Sequence, residues 1–596
     1  MMKDTYVVFP HPSLDWRLSP TRHTNVRMPA RRFTSKEEVD QRREEIVFSL
    51  RMSAGLYPWP EKTPLNTRTE LVGHETGYSV YKIMYESFPG FWSTGNLYLP
   101  NPVTGNHPAI LYCMGHFEDQ RLTREDGKID VPQQLANFAR LGFVCLVPDM
   151  IGKVDSKQIT HNYGREEKDL WQSNGLGVQL WNNIRALDVL CAMPEVDAER
   201  IGMTGCSGGG TQTLTLSLVD DRIKAAAPIN MISLEMQGGC QCENAPGLRR
   251  HSENCEMCCM LAPLPLFLAG STGDWTRNQQ TIEEPVIREV YGLYGAEDQV
   301  ETYFQVACHQ YNVHTRNRVY AFFARQLMGK DIDWQEQPIE VADLQDLTWF
   351  RGEGHAPGFN NDEEFFQARK AETIQRTANL SKEDRMKMLS WVTGVKEQKA
   401  FIADPTVFPL DGMTMEHNAA ITHGGVQVPY IRLIPDNWDG KRVVLALSGE
   451  GKDCLDKPEI QQLVKDGQMV ISGDLFMLGE VIDGIKRPIT DAQGLMHFNC
   501  FHYTEDGYRI QDAVLLWQVA CQSGSECSIW AEGEAARAVA AALPFLKDVK
   551  ACHLEAAALK LSGDADYMAK FNVPGIMLVG GIEGCLSLAD CPVDTF

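Results

Sequence analysis

Ile201-Gly202-Met203-Thr204-Gly205-Cys206-Ser207-Gly208-Gly209-Gly210 is the stretch on which the fold of this chain turns. Gly205, Ser207 and Gly209 make the pattern G-x-S-x-G. The apolar approach from Arg200 to Thr204 predicts the last residues of a strand, and Thr211 to Leu218 predicts a helix. A serine between the two occupies a sharp, strained turn. Its neighbours must then be small, and the backbone N–H after it points at a substrate oxygen. Five of the nine residues from 202 to 210 are glycine, which meets that requirement. The pattern alone is short enough to arise by chance, so its weight depends on the surrounding elements.

Moving outward, those elements alternate. Pro108 to Cys113 reads as a buried strand ending at Met114-Gly115-His116, residues 133–141 as a helix and residues 142–147 as a strand. Val178, Trp181, Ile184, Leu187 and Leu190 recur at helical spacing across 175–193, directly before the Ser207 strand. Further strands are expected at 223–229, 264–269 and 304–307, with a closing helix over 316–327. Upstream, Thr34-Ser35-Lys36-Glu37 offers a capping box for a helix whose stripe is Val39, Ile46, Val47 and Leu50, ending near Gly55. Strands at 78–85 and 94–99 lead into the series. Short apolar strands separated by helices argue for an α/β fold with a mostly parallel sheet covered on both faces, an α/β-hydrolase fold when combined with the Ser207 turn.

At 596 residues the chain is too long for one core. Residues 1–75 read as an N-terminal extension and helix, 76–335 as the catalytic domain, and 336–425 as a polar junction containing a helix over 381–399. Residues 426–596 hold a second βα series, with strands at 442–447, 468–472, 526–530 and 575–579 and a helix over 511–520. Its order repeats that of the first domain, which suggests a diverged duplication. In it the nucleophile position falls on Gly533, His553 lies too early to serve as a base, and Cys585 and Asp590 lack a matching one. A degenerate α/β-hydrolase-like domain is therefore expected, supporting stability, covering one side of the pocket or mediating self-association into a homo-oligomer.

Composition excludes several function classes. A net charge of −23 argues against nucleic acid or anionic membrane as a partner. No run of about 18 apolar residues occurs, and Met1 to Pro10 lack the apolar core of a signal peptide, so a cytoplasmic enzyme is the expectation. The 17 cysteines are better read as reduced thiols than as a disulfide framework.

Ser207 needs a base and a residue to orient it, and hydrolases of this architecture take them in the chain order Ser, Asp/Glu, His. Asp274 follows an apolar strand in Gly270-Ser271-Thr272-Gly273-Asp274-Trp275, and His309 follows residues 304–308. Both fall at the carboxyl ends of late strands, where ligand-binding loops of open α/β sheets gather. His116, His161, His251 and His314 are the competing bases, His314 the strongest because it shares the loop of His309. The backbone N–H groups of Gly208 and of the His116-Phe117 turn are assigned to an oxyanion hole. The chemistry expected is acyl transfer, with a tetrahedral intermediate and an acyl-enzyme released by water.

Several blocks beyond the Ser207 turn carry a family resemblance. They are Ser53 to Pro60 with Thr63-Pro64-Leu65-Asn66, Pro89-Gly90-Phe91, Gly95 to Pro100, Gly115-His116 and Asp149-Met150-Ile151-Gly152 with His161. Gly239-Cys240-Gln241-Cys242-Glu243-Asn244, Gly273-Asp274-Trp275 and His309-Gln310-Tyr311-Asn312 complete them. Over its first 330 residues the chain resembles the acetyl xylan esterase-like branch of the α/β-hydrolases, in particular its long two-domain bacterial members. The resemblance implies Ser207, Asp274 and His309 as a triad, with His309 preferred because it heads the H-x-Y-N element. It also implies a small acylated carbohydrate or glycoside as substrate, with acetyl as the acyl group since acetyl esters are the family's usual substrates, and with methyl esters of uronic acids as the alternative. Glucuronoyl esterases have an arginine after the nucleophile, where this chain has Gly208.

Cys240, Cys242, Cys255, Cys258 and Cys259 include a C-x-C and a C-x-x-C that could hold zinc through four thiolates. Accompanying histidines are sparse in those loops and the hydrolase chemistry needs no metal, so neither a metal nor another cofactor is expected. Trp171, Trp181 and Trp275 are candidate platforms for sugar rings. A non-catalytic binding or scaffold protein that has kept the fold is the reading from another class, and a peptidase or thioesterase a third.

Overall fold

The computed structural model describes residues 15–18, 22–125, 127–341, 343–396, 399–402, 404–481 and 497–596. The expectations for Met1 to Pro10 lie outside the described residues. Strands of the first series are β1 (Arg68–Glu75), β2 (Tyr78–Phe88), β3 (Phe91–Pro100), β4 (His107–Cys113), the two-residue pair β5 (Arg124–Glu125) and β6 (Ile129–Asp130), β7 (Val144–Pro148), β8 (Val196–Cys206), β9 (Ile223–Ile229), β10 (Leu266–Gly273) and β11 (Val300–Cys308). The helices among them are α1 (Lys36–Ser53), α2 (Val131–Arg140), the single turn α3 (Glu167–Leu170), α4 (Gly175–Ala192), α5 (Gly208–Val219), α6 (Asn254–Cys259), α7 (Glu284–Gly292) and α8 (Val313–Met328).

The chain divides into two compact units. His23–Arg165 and Ser173–Glu372 make the first; Glu166–Gln172 and Thr373–Phe596, with the described residues up to Arg22, make the second. The sheet of the first unit runs β1-β2-β3-β7-β4-β8-β9-β10-β11. From β7 to β11 all neighbours are parallel, and β1, β2 and β3 add an antiparallel edge. The parallel strands β4, β7 and β9 are buried along almost their whole length because helices cover both faces. That is why they read as unbroken apolar runs and not as alternation.

α1 starts one residue later than its sequence suggests. Ser35 accepts from the Glu38 N–H at 3.2 Å, while Glu38 accepts from the Thr34 N–H at 3.0 Å, so the reciprocal cap pairs Ser35 with Glu38 and not Thr34 with Glu37. α4, buried along nearly its whole length, holds Trp181 at 1% exposure, with its Nε1 donating to the Ser87 carbonyl at 2.8 Å. Trp181 is thus a core residue and not a sugar platform.

In the second unit the helices are, besides α3, α9 (Asp362–Thr377, which begins in the first), α10 (Lys382–Thr393), α11 (Pro458–Lys465), the turn α12 (Phe498–Phe501), α13 (Glu505–Ser523), α14 (Gly533–Ala542), the turn α15 (Ala556–Leu559), α16 (Asp564–Lys570) and α17 (Gly581–Leu586). Its strands are β12 (Phe401–Ile402), β13 (Thr406–Leu410), β14 (Met413–Ile421), β15 (Gln427–Pro435), β16 (Arg442–Leu447), β17 (Met469–Gly473), β18 (Glu526–Ala531), β19 (Cys552–Leu554) and β20 (Val593–Thr595). They are ordered β12-β14-β15-β17-β16-β18-β19-β20, with β13 paired to β14. Antiparallel strands at one edge, then β17-β16-β18-β19-β20 in parallel, repeat the β7-β4-β8-β9-β10 order of the first unit. The two sheets are tandem α/β-hydrolase-like layers.

Gly533 opens α14 directly after β18 and Glu532, with φ 58°, close to the φ of 60° that Ser207 adopts after β8. Its N–H donates to the Glu555 carboxylate at 2.7 Å. The expected strand at 575–579 is instead a 3-10 turn, Ile576–Val579, flanked by Gly575 and Gly580 with φ 88° and 89°. A short apolar run shows burial but not strand or helix, and the left-handed glycines close the turn here. A strand lies further on instead, at Val593–Thr595, where β20 pairs in parallel with β19. The helix expected over 381–399 stops at Thr393, where Gly394 takes a left-handed cap at φ 71°. No described helix is long and apolar enough to cross a membrane.

Candidate active site

β8 delivers Ser207 to the carboxyl edge of the first sheet. Its backbone sits at φ 60°, ψ −123°, a conformation that costs on the order of 1–3 kcal/mol for a residue with a side chain. The turn holds because glycines let backbones touch. A Cβ at Gly205 would collide with the Cys113 carbonyl, one at Gly209 with the same group, and one at Gly115 with the Cys206 carbonyl and, at 3.2 Å, with Ser207 Cβ. Ser207 N–H donates to the Ile229 carbonyl at 3.0 Å, tying the turn to the end of β9. Gly208 is the first residue of α5, where a helix offers no internal acceptor for the N–H.

Asp274 and His309 come together because β10 and β11 are adjacent and parallel. Gly273 faces Cys308 across that ladder, so the next residue of each strand emerges at one point. His309 Nδ1 donates to Asp274 Oδ2 at 2.9 Å. The carboxylate also accepts from Asn230 Nδ2 at 2.6 Å, from Ser271 Oγ at 3.3 Å, from the Thr276 N–H at 2.6 Å and from the Thr276 hydroxyl. Burial alone pushes the Asp274 carboxyl up, but these donors, His309 first, hold it below its ordinary value. With Nδ1 as the donor, Nε2 carries the lone pair; it is buried and hydrogen-bonds to no described residue. Trp275 lies against the imidazole, ring centres 4.4 Å apart, and so is the one of the three candidate tryptophans beside this pair. His314 is exposed in the first turn of α8, and His251 is exposed in a bend before α6.

Asn230 carries no motif in the sequence, yet it links both halves of the site. It follows Ile229, which accepts from Ser207, and its own side chain donates to Asp274. Its φ of 49° explains why an asparagine, tolerant of the left-handed region, stands there. Arg121 was equally silent. It is fully buried just after the His116-Phe117 turn and donates to Asp149 and Asp155 at 2.7 Å each, anchoring that loop.

The other blocks assemble beside Ser207. His116, from the loop after β4, lies against Gly208: a Cβ there would be 2.7 Å from Cε1 and 2.8 Å from Nδ1 of its ring. His161, Cys240 and Cys242 converge on the same imidazole, and one donor atom from each of the four lies within 4.8 Å of the others. Cys255, Cys258 and Cys259 are buried on α6 and outside this group. The four-cysteine set considered from spacing is therefore not what the fold assembles, because the two histidines arrive from distant loops. None of the 17 cysteines, all of them described residues, is in a disulfide. Hydrogen bonding with Cys242, and with the two histidines, holds the Cys240 thiol well below its usual range against the opposing effect of burial. Glu243, next to Cys242, accepts from the Cys240 N–H at 3.1 Å and from Thr211 Oγ1 of α5 at 2.8 Å, fastening the cysteine turn to the helix that follows Ser207.

Residues 61–232 match the acetyl xylan esterase (AXE1) family, a span that includes Ser207 and ends before Asp274 and His309. Among solved structures the chain is similar to the methylesterase BT1017, at 26% identity over 58% of this chain and 78% of that one, with a TM-score of 0.49. It is also similar to a glucuronoyl esterase from Solibacter usitatus (15% identity, 52% and 98% covered, TM-score 0.38) and to an acetyl xylan esterase from Paenibacillus sp. R4 (17%, 50% and 100%, 0.33). The first unit thus contains an acetyl xylan esterase-like domain, which supports a carboxylic ester hydrolase activity of this general type. Its fold is consistent with hydrolysis of small carbohydrate esters.

Proposed function

We propose that this acetyl xylan esterase-like chain is a serine carboxylesterase that removes a small acyl group, acetyl in the first instance, from a carbohydrate ester. Ser207 is the nucleophile, His309 the base and Asp274 the residue that orients it. The observation that carries the proposal is the His309–Asp274 pair on the sheet edge that also presents Ser207. Asp274 fixes the tautomer, so the free Nε2 is the atom able to take the Ser207 proton as Oγ attacks the acyl carbon. The tetrahedral oxyanion is met by the Gly208 N–H and the backbone of the His116-Phe117 turn. Protonated His309 then returns its proton to the departing sugar oxygen. Water, deprotonated by the same Nε2, attacks the acyl-enzyme and releases the acid.

Gly208 bears on the choice of ester. Any side chain at 208 meets the His116 ring, so the space beside the nucleophile is filled by imidazole. This favours acetyl esters over the uronic-acid methyl esters associated with an arginine at that position. In the second unit the equivalent of the nucleophile is Gly533, whose N–H already donates to Glu555, which supports a non-catalytic role for residues 426–596.

The test is acid release from a panel of acetylated and methyl-esterified oligosaccharides, with a small chromogenic acetate as reference, by the wild type and by Ser207→Ala. An organophosphonate should label each chain once, on Ser207. Retention of more than a few per cent of kcat/KM in Ser207→Ala, or a label within 426–596, overturns the assignment. No hydrolysis by the wild type would favour a binding protein.

A further inference from the structure

Four side chains from three loops of the first unit turn their soft donor atoms toward one point. His116 Nε2 and His161 Nε2 are 3.1 Å apart; Cys242 Sγ lies 3.3 Å from the first and 3.7 Å from the second, and Cys240 Sγ lies 3.3 Å from His161 Nε2. All four atoms fall within 4.8 Å of one another. Bonds of about 2.0–2.1 Å to nitrogen and 2.3 Å to sulfur in a tetrahedral site would separate the nitrogens by about 3.3 Å, nitrogen from sulfur by about 3.6 Å and the sulfurs by about 3.8 Å. The N···N separation of 3.1 Å and the N···S separations of 3.3–3.7 Å are within a few tenths of an ångström of that pattern.

The contacts crowd a single ring nitrogen of His161. His161 Nδ1 faces the Ile151 carbonyl at 2.8 Å. A carbonyl only accepts, so the proton sits on Nδ1 and the single lone pair of a neutral ring sits on Nε2. Three atoms, His116 Nε2, Cys240 Sγ and Cys242 Sγ, lie 3.1–3.7 Å from that nitrogen. A cation at the centre is met by all four donors at once, and a ligating histidine whose other nitrogen donates to a backbone carbonyl is the usual outer-shell arrangement. Gly152 lets this happen, since a Cβ there would strike the His161 backbone. The Glu243 carboxylate, which accepts from the Cys240 N–H and from α5, fixes the cysteine turn in the same way.

We propose that His116, His161, Cys240 and Cys242 form a closed, mononuclear zinc site. Two sulfurs and two nitrogens in tetrahedral disposition select zinc. A two-iron cluster of the Rieske kind puts its histidine pair and its cysteine pair on different irons, and sulfur-to-nitrogen approaches of 3.3 Å leave no room for that. Four protein ligands leave no position for substrate, so the ion is structural. It clamps the loop after β4, the segment after β7 and the 240–242 turn together, with the His116 ring against Gly208. The expectation of a metal-free protein is thereby reversed. The role in holding the His116-Phe117 turn rests on the esterase reading, whereas the site itself does not.

Metal content decides the matter independently of any activity. The full chain, expressed with zinc in the medium, should contain about one zinc per chain by elemental analysis. Cys242→Ser and His161→Ala should each fall below about 0.2, and Cys258→Ser should keep the ion. X-ray absorption at the zinc edge should give two sulfurs at about 2.3 Å and two nitrogens at about 2.0–2.1 Å. Because either ligand variant could misfold, thiol alkylation of the wild type gives a second measurement: Cys240 and Cys242 should react only after chelation. Less than 0.2 zinc in wild type that has been equilibrated with equimolar zinc overturns the proposal. So does full zinc in the folded ligand variants, or alkylation of both thiols unaffected by chelation.

Discussion

Replacing Arg121 by methionine tests how the loop that carries His116 and Phe117 is held. The guanidinium donates to Asp149 and Asp155 at 2.7 Å each, to the Leu347 carbonyl at 2.8 Å and to Asn96, and neither the arginine nor either carboxylate is more than 1% exposed. Methionine fills much of the volume but strands two buried carboxylates. Asp149 keeps Thr94 Oγ1 at 2.8 Å and Asp155 keeps the Trp349 N–H at 2.9 Å, which is too little to replace a cation. Breaking a buried pair from one side costs about 3–5 kcal/mol. At about 2 °C per kcal/mol for a unit of this size, the melting temperature at pH 8 should fall by roughly 6–10 °C.

The loss should also depend on pH. Burial already pushes Asp149 up to about 6 although Arg121 opposes it, and without Arg121 that carboxyl moves further up. A folded-state value above the unfolded one means stability that is present at low pH and lost as pH rises through the folded value. Calorimetry of Arg121→Met should therefore show a smaller deficit at pH 5 than at pH 8, and adding Asp149→Asn with Asp155→Asn should recover part of it. A fall below about 2 °C at pH 8, or equal deficits at both pH values, would refute the proposed role of this ion set.

Further outcomes concern the site itself. His309→Ala should lose roughly 10³-fold or more in kcat, and Asp274→Asn about 10⁴-fold through the wrong tautomer, whereas His314→Ala, exposed on α8, should change kcat less than about threefold. Because Asp274 is held below its ordinary value, its contribution to stability is present above about pH 4 and lost as pH falls through the folded value, so Asp274→Asn should flatten the acid side of the stability profile. Gly115→Ala drives a Cβ into the Cys206 carbonyl and should cost about 1–3 kcal/mol as well as most of the turnover, measured by urea unfolding and esterase rate; Gly292→Ala, which meets no atom within 4 Å, is the control.

The amino-acid sequence by itself determined whatever depends on near neighbours along the chain. The elbow at Ser207, the helix Gly175–Ala192 and the buried strands around them follow from glycine placement and apolar runs, and the structure shows them within a few residues of where periodicity put them. Local pattern failed where the same pattern serves two conformations, as at Ile576–Val579, or where an antiparallel edge is set by pairing, as in β14 and β15. Only the tertiary structure could decide the rest. His116 and Cys242 are 126 residues apart and the Arg121 guanidinium reaches Leu347 across 226, so neither pairing leaves a trace in spacing. Parallel strands need long crossovers, which place residues from many separate loops along one sheet edge. Ser207, Asp274 and His309 lie along that edge, and the sheet order, invisible in any single segment, determines which of its residues meet.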